Sequence, residues 1–346
     1  MLNLPGVGAA DTVAGWSEPH RDGQSGAVRD TEWADAALVV GESVLDVVRV
    51  PDAAPSSRPG GSAVNTAVAL ARLGRSTRLA TCYADDAGGR EIVRHLAGAG
   101  VALAGDPHVV ASTARADAVI DASGAAHYEI TVDWRLPVLS GLLSALSSSA
   151  AGTGPRVVHV TSFAPLLAPG AAQVLELVQR LRPHCAVSYD VNLRPAVTGA
   201  GPEVVAAVQR MAAMADLVKA SDEDLAALWP TDGVEGGVWR LLAAGAAAVV
   251  VTRGAAGASW HTRAAGTSGA GSVAGVPVVV VDTIGAGDTF SAALIDRLWP
   301  HLGAGAGPRL AGLEAEQWRA ALAFAVRAAA VTVSRHGADP PSADEL

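Results

Sequence analysis

The stretch Asp282–Ile295, DTIGAGDTFSAALI, contains two aspartates and a run of small residues that leads into an apolar segment. Gly285, Ala286 and Gly287 allow successive backbone N–H groups to lie close together, because glycine carries no side chain that would block them. The apolar segment after Asp288 predicts a buried helix, whose N-terminus would add roughly half a positive charge. The stretch therefore predicts a binding site for an anion.

Asp288 has two interpretations in this stretch. As a helix cap, its carboxylate would accept a backbone N–H group at the start of the helix, which is a common role for aspartate. As a general base, it would take the proton of a hydroxyl group beside the bound anion, which is the role that a kinase needs. The stretch alone leaves both open.

Strands and helices alternate on the N-terminal side of this stretch. The segments VVHVTSF (157–163), CAVSYDV (185–191) and AAVVVT (247–252) are apolar enough for buried strands, and helical patterns separate them. Such alternation indicates right-handed βαβ units. We therefore predict an α/β fold class, a mostly parallel sheet covered by helices on both faces.

Two segments depart from this alternation, at about 44–59 and 109–134. Each contains alternating apolar and polar residues, which is typical of a sheet with one wet face. Paired with each other, they would form a small projecting β sheet that acts as a lid over a ligand crevice. We predict a domain spanning 33–346, and a loosely ordered extension over residues 1–32, which show no helical or strand period.

Composition excludes several classes of function. The net charge of −9, without any basic block, argues against a nucleic-acid or anionic-membrane partner. Cys82 and Cys185 lie far apart and outside any metal-ligand spacing, so we expect two small buried residues. No apolar run reaches the roughly 18 residues of a membrane helix, and no signal-peptide pattern is present. A cytoplasmic location is expected.

Polar residues accumulate where the predicted strands end, which is where open parallel sheets bind ligands. Asp46 and Asn65 could both reach hydroxyl groups of a polyol, although Asn65 could instead bond backbone in the core. Asp190, Asn192 and Arg194 occupy alternate positions, so an extended segment would point all three the same way. They suit phosphate or sugar recognition, and a solvated loop is the alternative.

Two further segments have a structural and a functional interpretation. Ser221 precedes three acidic residues and is typical of a helix N-cap, while Asp224 could complement the helix dipole or bind Mg²⁺. The glycine loop Thr252–Gly257, TRGAAG, follows an apolar strand and would let backbone approach a nucleotide. No GxGxxG follows the first strand, which argues against a dinucleotide oxidoreductase.

The segments GGSAVNTAVALARLG (60–74) and DTIGAGDTFSAAL (282–294) together resemble the two diagnostic segments of the ribokinase-like (PfkB) carbohydrate kinase family, of fructokinase or ribokinase type. Intermediate segments, among them SYDVNLRP and VVVTRGAAGA, follow in family order, and the resemblance covers about 33–341. It implies an ATP-dependent kinase that phosphorylates a sugar hydroxyl, on one α/β domain with a β lid.

The resemblance also implies roles for single residues. Asp288 would be the base, and the N–H groups from Gly285 through Ala286 and Gly287 to Asp288 would bind the transferring phosphoryl group. The residues assigned to the sugar are Asp46, Gly60, Gly61, Asn65 and Arg194. Those assigned to the nucleotide are Asn192, Ser221, Thr252, Gly254 and Gly257. Asp224 is assigned to Mg²⁺, and Asp282, with carbonyl groups near Arg335 and Gly337, to a monovalent cation such as K⁺.

We therefore expect transfer of the γ-phosphoryl group of ATP to a hydroxymethyl group of a furanose or keto-sugar, fructose-like or ribose-like. Ser62 stands where many ribokinases have lysine, and Ser221 with Asp224 replaces the family's NxxE element. Two alternatives stay open: a nucleoside or other small-molecule kinase of the same fold, and a non-catalytic sugar or nucleotide sensor. A homodimer formed through the lid is a further expectation.

Overall fold

The computed structural model describes residues 33–49, 56–120, 126–147, 154–264 and 267–346. The predicted N-terminal extension lies outside these residues, as does the tip of the predicted hairpin in the second lid segment.

The strands, in chain order, are β1 (Ala37–Val40), β2 (Val44–Arg49), β3 (Ser56–Gly60), β4 (Thr77–Ala80), β5 (Ala102–Leu103), β6 (Arg115–Ile120), β7 (Ala126–Thr131), β8 (Val157–Thr161), β9 (Ala186–Asp190), β10 (Leu217–Ser221), β11 (Ala248–Thr252), β12 (Ala258–Ala264) and β13 (Thr267–Val273). The helices are α1 (Ser62–Arg72), α2 (Ala87–Gly98), α3 (Ser140–Ser147), α4 (Gly170–Leu181), α5 (Pro195–Thr198), α6 (Pro202–Ala212), α7 (Asp222–Leu228), α8 (Gly233–Ala244), α9 (Ala286–Leu298), α10 (Ala306–Ala311) and α11 (Ala315–Val333).

The large sheet has the strand order β13-β12-β11-β10-β9-β8-β1-β4-β5. Neighbours from β11 to β5 pair in parallel, whereas β12 and β13 extend one edge antiparallel. Successive residues of β1 show why both faces are covered: Leu38 and Val40 belong to one hydrophobic core, Ala37 and Val39 to the other. A strand buried on both faces reads as a continuous apolar run. The predicted α/β class is confirmed.

A second, smaller sheet has the order β3-β2-β6-β7. β2 pairs antiparallel with β3 and parallel with β6, and β6 pairs antiparallel with β7. The two alternating segments of the sequence therefore do pair with each other, as predicted. β3 leads through Gly60 and Gly61 directly into α1, so this sheet is joined to the main body next to the first helix.

The carboxyl ends of β1, β8, β9, β10 and β11 lie at the same edge of the sheet, because these strands are parallel. α1 and α9 pack against each other. In the part of the chain that the structure describes, no helix is long and apolar enough to cross a membrane. Cys82 and Cys185 are both buried free thiols, as expected.

Candidate active site

The predicted anion site is the N-terminus of α9. Its N-cap is Gly285, which adopts the left-handed conformation with φ 77°. A Cβ at Gly285 would lie 2.5 Å from the Cβ of Ala338, so the position needs glycine for space as well as for φ. The first N–H groups of any helix have no partner within the helix. The N–H of Ala286 donates to the Thr283 carbonyl oxygen at 3.3 Å, and anion binding at this N-terminus stays a prediction.

Asp288 lies in the first turn of α9, yet it does not cap the helix. Its Oδ1 accepts hydrogen bonds from Ser62 Oγ at 2.6 Å and Asn192 Nδ2 at 3.3 Å, and its Oδ2 accepts one from Asn65 Nδ2 at 2.8 Å. All three donors are neutral side chains from other elements. The helix-cap interpretation is therefore wrong. The carboxylate is held by neutral hydrogen-bond donors beside the helix N-terminus.

The three donors come from two places on the sheet edge. Ser62 and Asn65 lie in the first turn of α1, so one helix end holds both oxygens of Asp288. Asn192 follows β9 with φ 36°, a left-handed conformation that asparagine tolerates better than most residues. This arrangement does not fit the interpretation of Asn65 as a core residue bonded to backbone, and its contact with a sugar stays a prediction. Its amide bonds a carboxylate, and backbone is not its partner.

Asp46, Gly60 and Arg194, which the sequence assigns to the sugar, are brought together. A Cβ at Gly60 would lie 2.4 Å from Asp46 Oδ2, so the carboxylate packs directly on this glycine. Burial raises the pKa of Asp46 to about 6, and the positive charge of Arg194 opposes that rise. Asp46 is only partly buried, so it is open to a ligand between β2 and the first turn of α1.

Glu42 is a site residue that the sequence analysis missed. It follows Gly41 after β1, is 4% exposed, and its Oε1 accepts the backbone N–H of Ser62 at 3.1 Å. Burial raises its pKa to about 7, and the nearby Asp288 adds to the rise. Its place at a strand end was a signal that could have found it. It fixes the start of α1, from which Ser62 reaches Asp288.

Glu42 predicts an unusual pH dependence of stability. As pH rises from 4.5, its usual pKa, to about 7, its folded value, the unfolded chain loses the proton that the folded chain keeps. Stability is therefore lost across this window, by about 1–3 kcal/mol. The Glu42→Gln side chain cannot ionise. The free energy of unfolding of this variant, relative to that of wild type, should therefore increase between pH 5 and pH 8. Urea unfolding at each pH measures this, and parallel curves would contradict it.

Asp190 does not belong with Asn192 and Arg194, contrary to the prediction that all three point the same way. Its side chain is fully buried, and its Oδ2 lies 3.0 Å from Lys219 Nζ and 2.9 Å from Ser291 Oγ. The reason is that β9 ends at Asp190 and the backbone turns at Asn192, which breaks the alternation.

Lys219 was also missed, because it stands inside an apolar strand. Its Nζ would lie 3.1 Å from a Cβ at Gly287, so the buried ammonium sits directly behind the predicted anion site. The neighbouring carboxylates of Asp190, Asp224 and Asp288 raise the pKa of Lys219 against the opposing effect of burial. The positive charge therefore persists beneath the start of α9.

Ser221 and Asp224 form a capping box at the start of α7. Ser221 Oγ accepts the N–H of Asp224 at 3.0 Å, and Asp224 Oδ2 accepts the N–H of Ser221 at 2.8 Å. Asp224 Oδ1 accepts the N–H of Leu193 at 2.8 Å, which ties this cap to the loop after β9. The capping interpretation is confirmed, and the Mg²⁺ role of Asp224 stays a prediction.

Asp224→Ala is expected to lower the free energy of unfolding by about 1–3 kcal/mol, because two backbone N–H groups lose their acceptor. Glu223→Ala is the matched control, since Glu223 is an exposed acid in the same turn. That change should stay within about 0.5 kcal/mol of wild type. Chemical unfolding of both variants tests this, and equal losses would contradict a specific role for Asp224.

The predicted nucleotide residues of β10 and β11 are direct neighbours, because Ser221 pairs with Thr252 in the sheet register. Gly254 begins a short 3-10 turn, and Gly257 adopts φ 93° at its end. A Cβ at Gly257 would lie 2.2 Å from the carbonyl oxygen of Val273, so this loop packs closely on β13. Thr252, Gly254 and Gly257 thus share one loop next to Ser221.

An exposed apolar segment leads from this loop toward the anion site. Val279, Val280 and Ile284 are 82%, 60% and 51% exposed between β13 and α9. Three such exposed residues in one short segment indicate a contact surface for a ligand or partner. The sequence analysis missed this segment because its valines look like a buried strand.

Asp282 and Gly337, predicted near a monovalent cation, do lie together. Asp282 Oδ2 accepts the N–H of Gly337 at 2.9 Å, and Oδ1 accepts that of Ile284 at 3.0 Å. These bonds lower the pKa of Asp282. Across the described ranges, no cluster of three or more His, Cys, Asp or Glu side chains could hold a metal ion.

The chain resembles known proteins along most of its length. Residues 35–345 match the family model described as pfkB family carbohydrate kinase. The chain belongs to this family. A fructokinase from Rhizobium leguminosarum bv. trifolii is 32% identical over 279 residues, which cover 75% of this chain and 79% of the relative. The family resemblance of the two diagnostic segments is thereby confirmed.

Solved structures agree with this assignment. A fructokinase with bound ATP from Xylella fastidiosa has a TM-score of 0.74 and 25% identity, covering 88% of this chain and 94% of that one. A fructokinase double mutant from Vibrio cholerae O395, with fructose, ADP and a potassium ion, has a TM-score of 0.67 and 26% identity, covering 88% and 94%. This member of the family is an ATP-dependent sugar kinase.

Proposed function

We propose that this kinase transfers the γ-phosphoryl group of ATP to a hydroxymethyl group of a fructose-like or ribose-like sugar, a furanose or keto-sugar. One observation carries the proposal: the Asp288 carboxylate is 5% exposed, is held only by neutral donors, and lies at a helix N-terminus. Such a carboxylate can take a proton within hydrogen-bond reach of an anion. The fructokinase relatives favour fructose among the candidate sugars.

In the proposed reaction, the sugar oxygen forms a bond to the γ-phosphorus while its proton passes to Asp288. The bond from that phosphorus to the oxygen bridging to the β-phosphate breaks, so the products are a phosphate monoester and ADP. Charge on the transferring group would be stabilised by the N–H groups at Gly285–Gly287 and by the Lys219 ammonium behind them. Asp288 then releases the proton to water.

The sugar side is assigned to Asp46, Gly60, Gly61, Asn65 and Arg194. Asp46 and Arg194 offer an acceptor and a donor of opposite charge, which suits the several hydroxyl groups of a sugar. Gly61 has φ 97°, and a Cβ at this position would lie 2.6 Å from the Glu42 carbonyl oxygen. The position therefore requires glycine. We further propose that the small sheet acts as a lid that excludes water.

The nucleotide is assigned to Asn192, Ser221 and the loop bearing Thr252, Gly254 and Gly257. The exposed valines between β13 and α9 would cover the apolar faces of the base. Mg²⁺ bound to ATP would neutralise phosphate charge. Asp224 stays the candidate that would hold this ion, because each of its oxygens accepts one backbone N–H group and keeps one position free, and no step depends on it.

A monovalent cation fits the carbonyl and carboxylate oxygens near Asp282, Arg335 and Gly337. Support comes from the potassium ion of the Vibrio cholerae structure. We also propose that the enzyme is cytoplasmic and forms a homodimer through the small sheet, as the sequence predicts. Light scattering would test the dimer.

Release of ADP across a panel of sugars and nucleosides tests the substrate. Fructose or another hydroxymethyl sugar should give the highest kcat/KM. Preference for a nucleoside would favour the alternative acceptor class, and ligand binding without ADP release would identify a sensor.

A further inference from the structure

Ser62 is a motif residue for which the proposed function gives no role. It stands where many ribokinases have lysine, it is 4% exposed, and its hydroxyl makes the shortest of the contacts to Asp288, at 2.6 Å. Hydrogen bonds from a hydroxyl to a carboxylate are stronger than those between neutral groups. The question is what this bond does for a base that must later accept a proton.

The surroundings of Ser62 determine the direction of its hydrogen. Ser62 Oγ accepts a hydrogen bond from Asn192 Nδ2 at 2.8 Å and lies 2.5 Å from the buried hydroxyl of Thr161. A serine hydroxyl has one hydrogen and two lone pairs. Asp288, when ionised, can only accept, so the serine hydrogen points to Oδ1, and Thr161 donates to Ser62. Each of the three positions on the Ser62 hydroxyl is then used.

The two oxygens of Asp288 are consequently unequal. Oδ1 accepts two donors, Ser62 and Asn192, whereas Oδ2 accepts one, Asn65. A carboxylate oxygen accommodates about two in-plane hydrogen bonds, so Oδ1 is filled and Oδ2 keeps one open position. A third donor, the hydroxyl of an acceptor molecule, can therefore approach Oδ2 without breaking any of the existing bonds.

We infer that Oδ2 of Asp288 is the atom that receives the proton, and that Ser62 is a positioning residue that fixes Oδ1 and so turns Oδ2 toward the acceptor. This rests on the proposed function, and it adds an atom and a residue to it. When the O–H bond of the acceptor breaks, its hydrogen binds Oδ2 and its electron pair forms the new P–O bond. ADP leaves with the pair of the broken P–O bond.

The test is a double-mutant cycle on the full chain with ATP and the best sugar of the panel. Ser62→Ala should lower kcat about tenfold, the rate equivalent of one hydrogen bond to a charged group, and change KM for the sugar by less than about threefold. In the Asp288→Asn background, the same change should alter the residual kcat by less than about twofold, because Ser62 acts only through Asp288.

Ser43→Ala is the matched control. Ser43 is buried, and its Oγ pairs with Thr81 Oγ1 at 2.8 Å, the same kind of contact that joins Ser62 to Thr161, without touching Asp288. Its kcat should equal that of wild type within about twofold. Thr161→Val keeps the side-chain shape and removes only the donor to Ser62, so it should lower kcat about threefold even if Ser62→Ala does not fold.

Wild-type kcat in a folded Ser62→Ala protein, or equal losses from Ser62→Ala in both backgrounds, would overturn the role of Ser62. If the residual rate of Asp288→Asn is too small to measure, the comparison of kcat between Ser62→Ala and Ser43→Ala decides. Failure of the proposed function is distinguishable, because wild type itself would then release no ADP with any sugar, or Asp288→Asn would keep full turnover.

Discussion

Asp288→Asn should lower kcat by about 10² to 10⁴, the range expected when a general base is lost. An amide has nearly the shape of the carboxylate, so the variant should fold, but it cannot take the proton of the sugar hydroxyl. The loss should fall on kcat more than on KM, since Asp288 is needed chiefly in the transition state. Steady-state ADP release at saturating sugar and ATP measures it, together with the melting temperature.

Asp296→Asn is the control for this prediction. Asp296 lies on the same helix, is similarly buried, and bonds Arg75 at 2.7 Å, at the far end of α9 from Gly285. Its replacement should reduce stability and leave kcat within about twofold of wild type. Near wild-type turnover of Asp288→Asn would contradict the base role, and so would an equal loss of kcat in Asp296→Asn.

Gly285→Ala should lower kcat by about 10² to 10³, the usual effect of displacing donors that stabilise a developing charge. The added methyl group would lie 2.5 Å from the Cβ of Ala338 and 2.9 Å from its Cα, so the start of α9 must move. The residue also has φ 77°, which alanine adopts with strain. Measured kcat, KM for ATP and melting temperature report the displacement.

Gly74→Ala is the control that separates the effect of the steric clash from the effect of the left-handed backbone conformation. Gly74 has φ 86°, and a Cβ there would meet nothing within 4 Å, so only the left-handed conformation is penalised. The expected result is a stability loss of about 1–2 kcal/mol with unchanged kcat. If Gly285→Ala also kept wild-type kcat, the N–H groups at this helix start would not stabilise the transferring group.

The fold could be predicted from the sequence because its signals are local. Apolar runs such as AVVVT of β11 are buried on both faces, and the two alternating segments pair as β2 with β6. The candidate base could also be found, since Gly285, Gly287 and Asp288 are close neighbours in the chain. The choice between helix cap and base depended on the donors to Asp288, which are Ser62, Asn65 and Asn192. These residues are distant from Asp288 in sequence, so only the structure shows the contacts.

The rest of the site depends on contacts between residues far apart in sequence. Ser62 and Asp288 are separated by 226 positions, and Asn192 and Ser62 by 130. No periodicity carries that information. In the sequence, Lys219 interrupts an apolar strand and Asp190 suits a ligand. The buried ion pair between them can be recognised only when β9 and β10 are known to be neighbours.

Phosphorus NMR of the products from ATP and fructose tests the central claim most directly, with Asp288→Asn protein as the blank. We expect ADP and a phosphate monoester in equal amounts, with the phosphorus coupled to the protons of a CH₂ group, and about 10²- to 10⁴-fold less ester from the blank in the same time. ADP with inorganic phosphate, an ester without CH₂ coupling, or no product from any hydroxymethyl sugar would contradict it.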